Sequence, residues 1–232
     1  MSGRFALAVA LAVVLAGQGG AAGAAPPPDH VLPLGQYTSE KARRLATAHA
    51  AALRELDGYL YHCMPWVEVQ KESIGFFRPK HVQQDDRYLS LRIFVEQEPS
   101  APFATLRPEE RAASMFSRYV GPVLRRMTRD PALVADGALD GFTVIIEWLK
   151  QASRAAGERP VHETIAVFLD RAAALEYLRG AIPIAELANR ARVLGFDGET
   201  PLGTLRLSAW DDDFVSTYKV KNYQLAAGVS CS

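Results

Sequence analysis

Glu147 and His162 could do chemistry together if two alternating segments pair. Phe142, Val144, Ile146 and Trp148 alternate with Thr143, Ile145, Glu147 and Leu149, and after a polar stretch over 152–159 the run from Val161 to Leu169 returns. An antiparallel hairpin that matches apolar residues sets Val144 opposite Ile165, Phe142 opposite Val167 and Glu147 opposite His162. A carboxylate beside an imidazole favours the cation and fixes the tautomer, which is one way to build a general base. Thr143 and Thr164 extend the polar patch. The same pair also reads as a solvated couple on the open face of a sheet, and the lack of a marked nucleophile favours that reading.

Other chemistry-bearing groups are fewer. There is no Gly-x-Ser-x-Gly elbow, no phosphate-binding glycine loop and no Cys-x-x-Cys pair, and His162-Glu163-Thr164 lacks the second histidine of a zinc helix. Asp211-Asp212-Asp213 offers hard oxygen ligands, but consecutive residues converge poorly on one ion, so a solvated turn is expected and no metal or cofactor site is predicted. Arg92 and Tyr88, which share the less apolar face of one strand with Glu96, are together with Thr164 the candidate ligand-binding residues. Tyr59, Tyr61, Trp66, Phe76 and Phe77 crowd one stretch, which reads as core more readily than as a cleft. Cys63 and Cys231 stand as an even choice between a disulfide holding the C-terminal tail and buried thiols, since Cys63 also continues an apolar helical stripe.

The elements that would position these groups follow from periodicity. An amphipathic helix is expected from about Ser39 to Cys63, capped by Thr38 or Ser39, with Ala42, Leu45, Ala52, Leu56, Leu60 and Cys63 inward. Trp66 to Phe77 reads as a bent strand broken near Gly75, and Leu89, Leu91, Ile93 and Val95 mark a clear one. A helix opened by Pro108-Glu109-Glu110 runs to Met127 with a kink at Gly121-Pro122 and ends before Asp130-Pro131. After the hairpin, Asp170 caps a helix that Gly180 ends. Ile184, Leu187, Ala188, Ala191 and Leu194 mark another, and Leu205, Leu207 and Ala209 a strand that returns from Phe214 to Val220. The expected fold is α+β: a mainly antiparallel sheet of hairpins with several amphipathic helices on one face.

The N-terminus carries its own message. Arg4, the apolar run Phe5 to Ala16 and the small residues Ala22-Gly23-Ala24-Ala25 form the three parts of a cleavable export signal over 1–25. The apolar run is shorter than the roughly 20 residues of a membrane span, although an uncleaved anchor is the competing reading. A Pro-rich spacer over 26–37 precedes a domain over 38–232, single or in two packed halves dividing near 130–140. Basic and acidic residues balance at 26 each, and cleavage removes one basic residue, which argues against nucleic acid as partner. No other apolar stretch approaches spanning length, so stable membrane insertion of the mature chain is not expected. The expected function is that of an exported, non-catalytic bacterial envelope protein, periplasmic or extracellular, binding a ligand or a protein partner. The alternative is an extracytoplasmic hydrolase using His162 with Glu147.

Overall fold

The computed structural model describes residues 30–95, 101–151, 160–207 and 230–231. The expected export signal, the first residues of the expected spacer, Glu96, the acidic triplet Asp211-Asp212-Asp213 and the strand expected from Phe214 to Val220 lie outside the described residues.

Ser39 opens helix α1 (Glu40–Ala48), its Oγ accepting from the Ala42 N–H at 3.4 Å, and α2 (Ala50–Cys63) continues it. One helix was expected over this span, but the backbone leaves helical angles at His49 (φ −109°, ψ 21°). The His49 side chain accompanies that break: it is buried, with Nε2 3.0 Å from Asp136 Oδ2 and its ring 6.3 Å from that of Phe76. Ala42, Leu45, Leu56, Leu60 and Cys63 are buried as their spacing requires.

The bent strand becomes two short ones, β1 (Val67–Val69) and β2 (Gly75–Phe77). Both pair antiparallel with the same edge of β3 (Tyr88–Val95), Val67 with Val95 and Phe77 with Tyr88. Between them Glu72 takes a positive φ of 54°, so the chain turns out of the ladder and re-enters it. The chain then forms α3 (Ala101–Thr105), α4 (Pro108–Met115), a π-helical turn over Phe116–Val120, α5 (Gly121–Met127) and α6 (Pro131–Ala135). Pro122 can donate no backbone hydrogen bond and its ring crowds the preceding turn; the wider π turn takes up that misfit where a kink was expected. Asp130 caps α6 through the Ala132 N–H at 2.8 Å.

Strands β4 (Gly141–Gln151) and β5 (Val161–Asp170) form the expected hairpin; α7 (Arg171–Leu178), α8 (Ile184–Arg190), β6 (Arg192–Asp197) and β7 (Thr200–Thr204) follow. The order across the sheet is β1-β3-β4-β5-β6-β7, with β2 beside β1 on the β3 edge. The fold is α+β, but the sheet is mixed, because β3 and β4 run parallel. The helical block α3–α6 accounts for this correction: it carries the chain from the end of β3 back to its start, whereas a hairpin needs only a tight turn. A second correction concerns β6. The apolar spacing through Leu194 suggested a helix, yet α8 stops at Arg190 because from Arg192 the period is two, with Val193 buried and its neighbours Arg192 and Leu194 on the opposite face. The following strand is Thr200–Thr204, earlier than expected, reached through Gly198 at φ +57°.

Leu89, Leu91, Ile93 and Val95 of β3, Phe142, Val144, Ile146 and Trp148 of β4, and Ile165, Val167 and Leu169 of β5 belong to one connected core. That core also includes Leu45, Leu53, Leu56, Leu60, Phe103, Phe116, Val120, Leu124, Ala174 and Leu187 from the helices. Each fully buried Val, Leu, Ile or Phe side chain among them contributes about 1.5–3 kcal/mol through removal from water. Cys63 and Cys231 form a disulfide with Cα atoms 5.5 Å apart, which resolves the even choice in favour of the bridge. It spans 168 residues, and closing a loop of that length in the unfolded chain is worth about 5 kcal/mol on the chain-entropy account. Among the described residues no helix is long and apolar enough to cross a membrane.

Candidate functional site

Residues one position out of phase with the core line the other face of the sheet. The cross-strand register arranges them as a grid: Phe94, Glu147, Thr164 and Phe196 form one row, and Arg92, Ile145, Ala166 and Leu194 the next. Leu149 and His162 stand opposite each other beyond the first row. Phe94, Ile145, Leu149, Leu194 and Phe196 are all half-buried, an intermediate exposure that large apolar side chains seldom keep together unless something else adjoins them.

Glu147 is the centre of this face. Arg92 Nη2 donates to Glu147 Oε2 at 2.6 Å, and His162 Nδ1 lies 3.3 Å from Glu147 Oε1. The His162 ring meets the Phe94 ring edge-on at 5.2 Å. The expected contact between Glu147 and His162 therefore forms, but not through the expected register. Glu147 is opposite Thr164, and His162 reaches it diagonally. The register differs by two residues, so every side chain keeps its face, and it pairs Phe142 with Leu169, Val144 with Val167 and Ile146 with Ile165, so that each core-facing apolar residue of β5 meets an apolar partner. Gly141 permits this alignment at the strand's start. A Cβ there would collide with the Leu169 carbonyl and lie 2.6 Å from the Tyr88 ring.

The four residues Arg92, Glu147, His162 and Thr164 are brought together, whereas Tyr88 is not. Tyr88 sits four residues along β3 from Arg92, buried, and its hydroxyl donates to Asp170 Oδ1 at 2.6 Å. Burial first, and then the Asp170 carboxylate, push its hydroxyl well above the ordinary tyrosine range. Asp170 precedes α7 as expected, but it makes no side-chain cap; its carboxylate serves Tyr88 instead. At this end the face is partly covered, with Ser90, Thr143 and Ala166 buried and His81 against the Phe168 ring at 4.9 Å. Of the crowded aromatics, Phe76 is core, Tyr59 and Trp66 pack against the core's margin, and Tyr61 is exposed at 39%.

The cluster is open to solvent, with side-chain exposures of 46% for Arg92, 17% for Glu147 and 33% for His162. Its chemistry is that of a shared carboxylate: Glu147 neutralises a guanidinium on one oxygen and orients an imidazole on the other. The Arg92 guanidinium keeps further donors that an incoming acceptor can take.

A second charged group escaped the reading of the sequence. Glu163, on the opposite side of β5 from His162, is buried beside Arg111 of α4, whose Nε donates to Glu163 Oε2 at 2.6 Å and whose Nη2 donates to Oε1. Arg111 Nη1 donates to the Leu106 carbonyl. Lys150, at the bulge between Leu149 and Gln151, lies 3.8 Å from Glu163 Oε1 and donates to Asp197 Oδ2 at 2.6 Å. A signal was present, since Glu163 occupies the inward phase defined by Ile165, Val167 and Leu169. Among the described residues no cluster of three or more His, Cys, Asp or Glu could hold a metal ion. Comparison with protein-family models, with curated proteins and with solved structures gave no match.

Proposed function

We propose that the chain is an exported, non-catalytic binding protein that engages a protein partner through the exposed face of its sheet, with its helices packed against the other. One observation carries the reading: half-buried Phe94, Ile145, Leu149, Leu194 and Phe196 surround the Arg92–Glu147–His162 cluster on a broad surface rather than inside an enclosed cavity. Such a mixture of aromatic and aliphatic area with an arginine at its middle matches the composition of protein interfaces. The disulfide supports export, because structural bridges of this kind persist in oxidising compartments, and so does the order of basic, apolar and small residues at the N-terminus.

The test is a photo-crosslinking amino acid placed at Phe94 or Ile145 in the producing cell, with Arg54 on the exposed side of α2 as control. A discrete adduct from the sheet positions alone is the expected result. No adduct at either sheet position, or the same adducts from Arg54, would overturn the proposal. The contact of His162 with Glu147 gives specific support to one rival, a hydrolase in which His162 activates water. Loss of a hydrolytic activity in His162→Ala, with the crosslinks unchanged, would favour that rival.

A further inference from the structure

Three arginines converge on a groove on the helical side of the molecule. Arg125 of α5 and Arg171 and Arg179 around α7 line a space of about 570 Å3 whose apolar wall includes Val134, Leu175 and Leu178. Among the described residues none of the three arginines is paired with a carboxylate. Arg125 donates to the Tyr177 hydroxyl at 3.0 Å and lies over its ring at 5.3 Å. Arg171 Nη2 donates to the Val134 carbonyl at 2.7 Å, while its buried Nε has no acceptor among the described residues. The acids on neighbouring segments are engaged elsewhere: Glu176 with Arg190, Asp140 with Lys41, and Asp170 with Tyr88. Arg171 is half-buried, whereas Arg125 and Arg179 are exposed, and an anion held between the three would gain both charge and hydrogen bonds.

We infer that this groove binds a small amphipathic anion, with a carboxylate or phosphate head on Arg125, Arg171 and Arg179 and a hydrocarbon tail along Val134, Leu175 and Leu178. The pairing of cations that have no carboxylate partner among the described residues with an adjoining apolar wall selects this class: an inorganic anion would leave the wall wet, and a neutral hydrocarbon would gain nothing from the three positive charges. The groove lies away from the sheet face assigned to the protein partner, so the two readings stand or fall separately.

Calorimetric titration of the oxidised, exported chain with decanoate tests it, with decanol, acetate and inorganic phosphate as comparison probes. Decanoate should saturate at one molecule per chain, and decanol, acetate and phosphate should each bind at least about tenfold more weakly. Arg125→Glu and Arg179→Glu change exposed side chains, and each should weaken decanoate about tenfold, the scale of one charged hydrogen bond. Leu178→Asn should weaken decanoate while leaving acetate unaltered. Chemical-shift changes in the unmodified chain should map to residues 125–135 and 171–179, which keeps the test open if a variant fails to fold. Equal binding of decanol, equal binding of phosphate, or decanoate affinity unchanged in both charge reversals would overturn the inference. Adding vesicles of phosphatidylglycerol separates the sources of such an anion: salt-sensitive vesicle binding without decanoate uptake would mean attraction to a charged surface, and would also overturn it.

Discussion

His162 and Glu163 are neighbours in the chain, and the pleat of β5 sends them to opposite faces of the sheet, where each joins an arginine-and-carboxylate cluster. On the exposed face Arg92 and Glu147 meet in water, with the guanidinium 46% exposed. On the covered face Arg111 and Glu163 meet at 7% and 3% side-chain exposure, with two parallel hydrogen bonds between them. The groups are chemically alike and their energetics are opposite. A pair whose guanidinium stays this exposed gains little from the contact because water solvates that charge nearly as well. Two buried ones have already lost that hydration, so each depends on the other. A cluster of the first kind can exchange partners at low cost and suits recognition; one of the second kind locks α4 to the end of the sheet.

The largest effect should come from breaking the covered pair. Glu163→Ala leaves the Arg111 guanidinium buried without its carboxylate and should cost about 3–5 kcal/mol in urea unfolding. The double variant Arg111→Met with Glu163→Leu, which removes both charges and keeps the volume, should recover most of that loss. A Glu163→Ala variant as stable as the unmodified chain would erase the distinction between the two clusters.

The difference between the faces also explains what could be read from sequence. Period-two alternation identified β3, β4 and β5 and put Leu91, Val144 and Val167 inside, because burial of one face imposes that pattern directly. It brought Glu147 and His162 to one side of the sheet even with the register two residues out, since a slip of two preserves the face. Register itself was not legible, because it is decided by which apolar pairs are complete and by Gly141 yielding space to Tyr88. The parallel pairing of β3 with β4 was hidden for another reason. Strand direction depends on where the intervening helices carry the chain, and local patterning holds no record of it. Glu163 was passed over since an acid in an inward position reads as an interruption until Arg111 arrives from 52 residues away. The arginine groove shares that character, its lining drawn from α5, α6 and α7.

A smaller effect is expected at the exposed cluster. In a double-mutant cycle, Arg92→Ala and Glu147→Ala should show a coupling energy below about 1 kcal/mol, and that coupling should shrink further as salt is added. Crosslinking from Phe94 to the proposed partner should nevertheless fall in Arg92→Ala, since recognition uses the donors that stability does not. A coupling as large as that of the covered pair, insensitive to salt, would place both clusters in one class and remove the reason to regard the exposed one as a recognition element.

The finest test uses a carboxylate outside both clusters. Asp136 Oδ1 accepts from the Ala138 N–H at 2.8 Å and Oδ2 lies 3.0 Å from the buried His49 Nε2, and these two bonds, the backbone one foremost, hold its pKa below the ordinary aspartate value. A carboxyl whose pKa is lower in the folded than in the unfolded chain contributes stability that is complete above the unfolded value, near 4, and is lost as pH falls through the folded one. Asp136→Asn keeps an acceptor for Ala138 but cannot ionise. It should be slightly less stable than the unmodified chain at pH 7, and the two unfolding free energies should converge as the pH falls through the lowered folded-state value, where the native aspartate becomes protonated as well. Parallel curves over that whole range would show that ionised Asp136 adds nothing to the His49 junction. The break between α1 and α2 would then rest on the packing of the His49 ring against Phe76 alone.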